Sequence, residues 1–136
     1  MNDFQRLAEQ FKFKNLAFVE GGETRQDSVQ AGLALVSADR VLVHDSARAF
    51  MPARVFEEVA EALTIADCVV PVLPIADTIK EVDGRLVTQT LDRSKLAATQ
   101  TPQGFRTESL RQALADAQSS FTDEAGLLES LGVQVV

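Results

Sequence analysis

The sequence predicts an α/β domain: a mostly parallel sheet with helices on both faces and a β-hairpin arm projecting from it. Three observations carry this reading. Short apolar runs alternate with amphipathic stretches of helical period, the pattern of strands and covering helices. One stretch, DTIKEVDGRLVTQTL (77–91), breaks that alternation with two β-rich runs around Asp83-Gly84. The 136 residues, 46% hydrophobic and 24% charged, suffice for one domain with a single core.

Phe4, Leu7, Ala8 and Phe11 recur at i, i+3, i+4 and i+7, predicting a helix over 3–11. LAFV (16–19) reads as a short buried strand ended by Gly21 and Gly22. Asp27 or Ser28 is placed to cap a helix running to about Val36, with Val29 and Leu33 inward. VLVH (41–44) reads as a second buried strand. Pro52 suits the first turn of a helix whose stripe is Val55, Phe56, Val59, Ala60 and Leu63. DCVVPV (67–72) is a third strand. Asp83-Gly84 is the two-residue hairpin signal, since a type I′ turn needs positive φ at both central positions. A helix over 107–118 carries Leu110, Ala113, Leu114 and Ala117. Another spans 123–131, capped by Thr122 and stopped by Gly132, before a final strand VQVV (133–136).

The bulk numbers exclude several classes. A net charge of −7 argues against general binding to nucleic acid or anionic membrane. A single cysteine, Cys68, excludes an internal disulfide and a multi-cysteine zinc site. The apolar runs are far short of a membrane span, and the first residues lack signal-peptide character, so a cytoplasmic location is expected.

In open α/β sheets ligands bind outside the carboxyl ends of the strands. That rule gathers Gly21 to Ser28, Asp45 to Arg48 and Thr78 to Lys80 on one edge. An aspartate beside an arginine there suits a site for phosphate and a cation. The carboxylate can hold magnesium or a ribose hydroxyl, and the guanidinium can clamp a phosphate. Plainer readings stand beside this one. Asp45 can simply cap a turn, Arg48 and Arg93 can be solvated, and Lys80 and Lys95 can be ordinary surface residues. Thr122, Asp123 and Glu124 read as a helix start complementing the dipole. His44 reads as a packed, hydrogen-bonded ring and Cys68 as core.

Six segments go further when taken together: GGETRQDSVQAGL (21–33), VLVHDSAR (41–48), ADTIK (76–80), TLDRSKL (90–96), QTPQGF (100–105) and TDEA (122–125). In this order and spacing they resemble the 2-C-methyl-D-erythritol 4-phosphate cytidylyltransferase family, over roughly residues 16–136. The resemblance implies a Rossmann-like nucleotidyltransferase fold. It implies transfer of CMP from CTP to the sugar-alcohol phosphate in non-mevalonate isoprenoid synthesis, with magnesium. A ribitol-5-phosphate cytidylyltransferase, or an inactive dimerising fragment, are the alternatives.

It further implies that the arm, about 76–99, reaches into a second subunit of a homodimer and lends Arg93 to the acceptor. Gly22, Glu23 and Ser28 match positions around the cytosine. Asp45 matches the position beside ribose, metal and acceptor. Arg48, Thr78 and Thr101 match acceptor contacts. DSARA here replaces the family's usual DAARP, with Ser46 and Ala49 at the two changed positions. The family's opening Gly-rich phosphate loop and its lysine, and a later Asn-x-Lys-x-Thr segment, have no match, so a domain incomplete at both ends is expected.

Overall fold

The computed structural model describes residues 3–12, 15–117 and 121–136. Helix α1 (Asp3–Phe11) has the expected bounds. The run 16–19 forms no strand; Leu16, Phe18 and Val19 are exposed and meet no ladder partner among the described residues. An apolar run without a neighbouring strand to satisfy its backbone stays irregular.

Helix α2 (Arg25–Leu33) begins one turn earlier than expected. Thr24 is its cap: Thr24 Oγ1 accepts from the Asp27 N–H, and Asp27 accepts from the Thr24 N–H in return. Asp27 is therefore the third residue of a capping box, and Ser28 lies inside the helix. The helix ends at Leu33, short of Val36, and Arg111 donates to the carbonyls of Leu33 and Val36.

The main sheet has three strands in the order β1 (Arg40–Val43), β7 (Gln103–Arg106), β2 (Cys68–Val69). Strands β1 and β2 run the same way, as does the C-terminal run, where Val135 bridges in parallel to Cys68. β7 lies between β1 and β2, antiparallel to both. Three of the four runs expected in the sheet therefore share one direction, and an unpredicted strand inserted among them makes every ladder among the described residues antiparallel. VQVV contributes that bridge and two backbone bonds, Val70 N–H to the Val136 carbonyl and Val136 N–H to the Cys68 carbonyl.

Side chains alternate across this sheet with period two. Val41, Val43, Cys68 and Phe105 face the core formed with Leu33 of α2, Leu110 and Leu114 of α4 (Thr107–Asp116), and Leu127 and Leu128 of α5 (Glu124–Ser130). Leu42 and Val69 face the other way, onto Val59 and Leu63 at the end of α3 (Ala53–Ala62). Gly104 sits under that helix. A Cβ there would lie 2.6 Å from Val59 Cγ1 and 2.9 Å from Leu63 Cδ1, so only glycine permits the approach. Helices thus cover both faces. Residue 118, the end of the expected fourth helix, lies outside the described residues. Helix α5 is capped by Asp123 rather than Thr122, Asp123 Oδ1 accepting from the Gly126 N–H, and Gly132 ends it with φ +83°.

The arm leaves through a short ladder of β3 (Val72–Pro74) with β6 (Ala97–Thr99) and continues as the hairpin β4 (Lys80–Asp83) with β5 (Leu86–Thr90). Every residue of β4 and β5 is exposed. Asp83 pairs with Leu86, so the turn residues are Gly84-Arg85, one place later than Asp83-Gly84. Only Gly84 has positive φ, +57°, which is the pattern of a type II′ rather than a type I′ turn.

Candidate active site

Strand β1 delivers His44 and Asp45 at its carboxyl end, and a short 3₁₀ turn (Ser46–Arg48) returns Arg48 over Asp45. β7 runs in the opposite sense, so the residues before it, Gln100 to Pro102, arrive beside that same end. The Thr101–Pro102 bond is cis. Thr101 is buried, and its hydroxyl joins the two segments. It accepts from the Asp45 N–H at 3.1 Å and lies 3.0 Å from His44 Nδ1.

The protonation of this cluster follows from its partners. His44 Nε2 is 3.3 Å from the Arg48 carbonyl, which can only accept, so Nε2 carries the hydrogen. In a neutral ring Nδ1 then accepts, and the Thr101 hydroxyl donates to it. The ring also meets Phe56 edge-on at 4.9 Å. His44 is thus the packed, bonded ring the sequence suggested.

Around Asp45 the structure builds a row of charge. Arg25, in the first turn of α2, places Nη2 at 3.4 Å from Asp45 Oδ1, and Arg48 Nε lies 3.7 Å from Oδ2. On its other side Arg25 Nη1 meets both carboxylate oxygens of Glu124, each at 2.6 Å. Glu124 is only 2% exposed, whereas the Arg25 side chain keeps 39% exposure. Burial works against the charge on Arg25. The hydrogen bond and charge of Glu124, with those of Asp45, outweigh it and hold the guanidinium above its ordinary range.

Arg25, Asp45 and Arg48 line an open cavity of about 200 Å³ together with Thr99, Gln100, Thr101, Gln103, Thr122 and Asp123. Arg48 Nη1 donates to Gln100 Oε1. Gln103, 2% exposed, donates to Asp123 Oδ2 at 2.8 Å and so ties β7 to the start of α5. Two buried polar atoms on this wall, Arg48 Nε and Gln103 Oε1, have no hydrogen-bond partner. The wall therefore has bonding capacity that a polar ligand can meet.

The sequence-predicted residues fall into three groups. Asp45, Arg48 and Thr101 meet at the cavity. Gly22 and Ser28 form the turn leading into Arg25: the Gly22 N–H donates to Ser28 Oγ at 3.1 Å, and Ser28 Oγ donates to the Thr24 carbonyl. A Cβ on Gly22 would lie 2.2 Å from Asp27 Cβ, so the turn fits against α2 only with glycine. Glu23 is exposed beside it. Thr78 and Arg93 do not line the cavity. Thr78 is exposed at the base of the arm, and Arg93 donates to the Ala76 carbonyl across that base. The Asp-Arg-Ser triplet makes a local turn: the Ser94 hydroxyl and N–H bind Asp92 and hold its carboxyl below the usual carboxylate range.

Sequence reasoning missed Gln103 and Asp123 as parts of the cavity wall and Glu124 as the partner of Arg25 behind it. Glu124 meets its partner 99 residues away, and no local spacing announces that pairing. A glutamine flanked by Pro102 and Gly104 in an otherwise buried run was the available signal for Gln103.

An α/β sheet with an Arg–Asp–Arg row between the end of β1 and the first turn of α2, beside a projecting two-stranded arm, fits a nucleotidyltransferase. The family model "IspD: 2-C-methyl-D-erythritol 4-phosphate cytidylyltransferase" matches residues 1–136, and the chain belongs to that family. A 2-C-methyl-D-erythritol 4-phosphate cytidylyltransferase of Rhodococcus jostii is 53% identical over 120 residues, covering 86% of this chain and 53% of that protein. The crystal structure of the Thermus thermophilus enzyme of that name superposes with a TM-score of 0.81 at 40% identity, covering 88% of this chain and 60% of that one. The bifunctional IspDF of Campylobacter jejuni matches at TM-score 0.79 and 32% identity over 98% of this chain and 34% of that one. The chain spans little more than half the length of the curated relatives it matches.

Proposed function

We propose that the protein containing this cavity transfers CMP from CTP to 2-C-methyl-D-erythritol 4-phosphate, in non-mevalonate isoprenoid precursor synthesis. An oxygen of the acceptor phosphate bonds to the α-phosphorus of CTP. The bond from that phosphorus to the bridging oxygen of the β-phosphate breaks, and pyrophosphate leaves. The chemistry asks the protein for positioning and charge neutralisation. The observation that carries the reading is the Arg25–Asp45–Arg48 row on a polar cavity, in a chain of this family.

In this reading Arg48 holds the acceptor phosphate and Asp45 orders ribose or acceptor hydroxyls. The Gly22–Ser28 turn, with Glu23, borders the cytosine. Thr101 lines the cavity with its hydroxyl already bonded inward, so it serves the acceptor chiefly by fixing Asp45. Asp45 also fits magnesium shared with phosphates, since it is half-exposed and its guanidinium neighbours stand off at 3.4 and 3.7 Å. Among the described residues no three His, Cys, Asp or Glu side chains are grouped to hold a metal. The ion would therefore come with the nucleotide and supply neutralisation of its phosphate charge.

Arg93 and Thr78 reach an acceptor only if the arm crosses to a second copy. Val82, Leu86 and Val87 on that arm are more than half exposed, which suits burial in a homodimer. Among the described residues no helix is long and apolar enough to cross a membrane, and a cytoplasmic location completes the reading.

The test is pyrophosphate release by the full-length protein with CTP, magnesium and either 2-C-methyl-D-erythritol 4-phosphate or ribitol 5-phosphate. Release with the first acceptor, lost in Arg93→Ala, is expected. Release with ribitol 5-phosphate alone, or an unaffected Arg93→Ala enzyme, overturns the respective part.

A further inference from the structure

We infer that Glu124 is a positioning residue for the cavity, acting through Arg25 on Asp45. The inference rests on the cytidylyl-transfer reading and goes beyond it by assigning a task to a buried carboxylate that touches no substrate in that reading.

The argument begins with burial. A carboxylate only 2% exposed is strongly disfavoured unless it is paired and hydrogen-bonded. Here one guanidinium nitrogen, Arg25 Nη1, meets both Glu124 oxygens at 2.6 Å. Structural pairing alone would be satisfied by a guanidinium turned wholly to its partner. Instead the second nitrogen, Nη2, is presented to Asp45 at 3.4 Å. The guanidinium is planar and rigid, so fixing one nitrogen on Glu124 fixes the direction of the other.

Glu124 is itself held from two sides. It is the first residue of α5, whose cap Asp123 is bonded to Gln103 of the sheet. Its neighbours Ala125, Leu127 and Leu128 are in the core. The chain of restraint therefore runs from the sheet centre through Gln103 and Asp123 to α5, then through Glu124 and Arg25 to the Asp45 carboxylate. Arg48 contacts the other Asp45 oxygen at 3.7 Å, so each oxygen faces one cation. Without Glu124, Arg25 is a half-exposed side chain with a single long contact, free to turn into solvent or onto an incoming phosphate.

The test compares Glu124→Gln and Arg25→Lys with the full-length wild type, in two readouts. The first is pyrophosphate release resolved into kcat and KM. Both variants are expected to lose about 10-fold or more in kcat, with the KM for CTP changed less than about threefold. The double variant is expected to be no worse than the poorer single one. The second readout is NMR of the Arg25 side-chain nitrogens. Hindered rotation of the guanidinium in the wild type should become free in Glu124→Gln. Glu124→Gln keeps the side-chain shape; should it fail to fold, the half-exposed Arg25→Lys carries the kinetic test alone. An active wild type whose Glu124→Gln or Arg25→Lys variant keeps its kcat overturns the positioning role and leaves the transfer reading intact. A Glu124→Gln variant whose Arg25 stays hindered does the same. A folded wild type that releases no pyrophosphate overturns both.

Discussion

Replacing Thr101 by valine keeps the shape of a buried residue and removes one hydroxyl. That hydroxyl is the only described link between the end of β1 and the segment entering β7 that uses a side chain of the buried run 101–105. Its loss leaves the Asp45 N–H without its acceptor and His44 Nδ1 without its donor. An unsatisfied buried polar group costs about 1–3 kcal/mol. Both partners here are half-buried, which places the pair near about 2–3 kcal/mol in total. For a chain of this size each kcal/mol moves Tm by about 3–4 °C, so a fall of about 6–12 °C is expected. Thr101→Ser is the control, because it keeps the hydroxyl and removes one methyl, worth about 0.8 kcal/mol. Thermal unfolding followed by circular dichroism measures both. A valine variant no less stable than the serine variant would refute the hydroxyl's bridging role.

Three further outcomes follow from the same structure. Gly104→Ala forces a methyl into Val59 and Leu63; overpacking of this kind costs about 1–3 kcal/mol, and urea unfolding should show it as a lower midpoint with an unchanged slope. Cys68 is fully buried, and burial, with the charges of Asp123 and Glu129, pushes its thiol up to about 12 from 9.0. Native protein at pH 8 should not react with a thiol reagent until it unfolds. Because the folded value is the higher one, the stability this thiol contributes is intact below pH 9 and is lost as pH rises from 9 toward 12. Gly84→Ala places a side chain at φ +57°, costing the hairpin about 1–2 kcal/mol. Since the arm is exposed, the main Tm should hold, while the proposed arm-mediated homodimer should be weakened in sedimentation.

Much of this molecule was legible because its signals are local. The stripe from Val55 to Leu63 marked α3, Asp-Gly marked the hairpin, and Asp45 and Arg48 lie three residues apart on one strand end. What escaped depends on distant contacts. LAFV has strand composition but no neighbouring strand to pair with. Residues 103–106 carry no apolar run that marks a strand, yet they form the middle of the sheet. Gly104 is there because α3 presses on it, and Gln103 because α5 needs an anchor. Each reason lies tens of residues away in the chain. Thr24 was passed over as a cap because Asp27 and Ser28 are equally good formers, and only the reciprocal bond to Asp27 decides among them. The Arg25–Glu124 pair is the extreme case, joining the second helix to the last.

The most direct test of the Arg25–Asp45–Arg48 row is Asp45→Asn in the full-length protein, assayed for pyrophosphate release from CTP with 2-C-methyl-D-erythritol 4-phosphate. The substitution keeps the side chain's size and takes away the charge that both guanidinia face. Turnover should fall about 100-fold or more, the scale on which a charged group aimed at the reacting centre acts, while the folded state persists. Turnover within about twofold of wild type, in a protein folded as before, would contradict the placement of the reaction at this cavity.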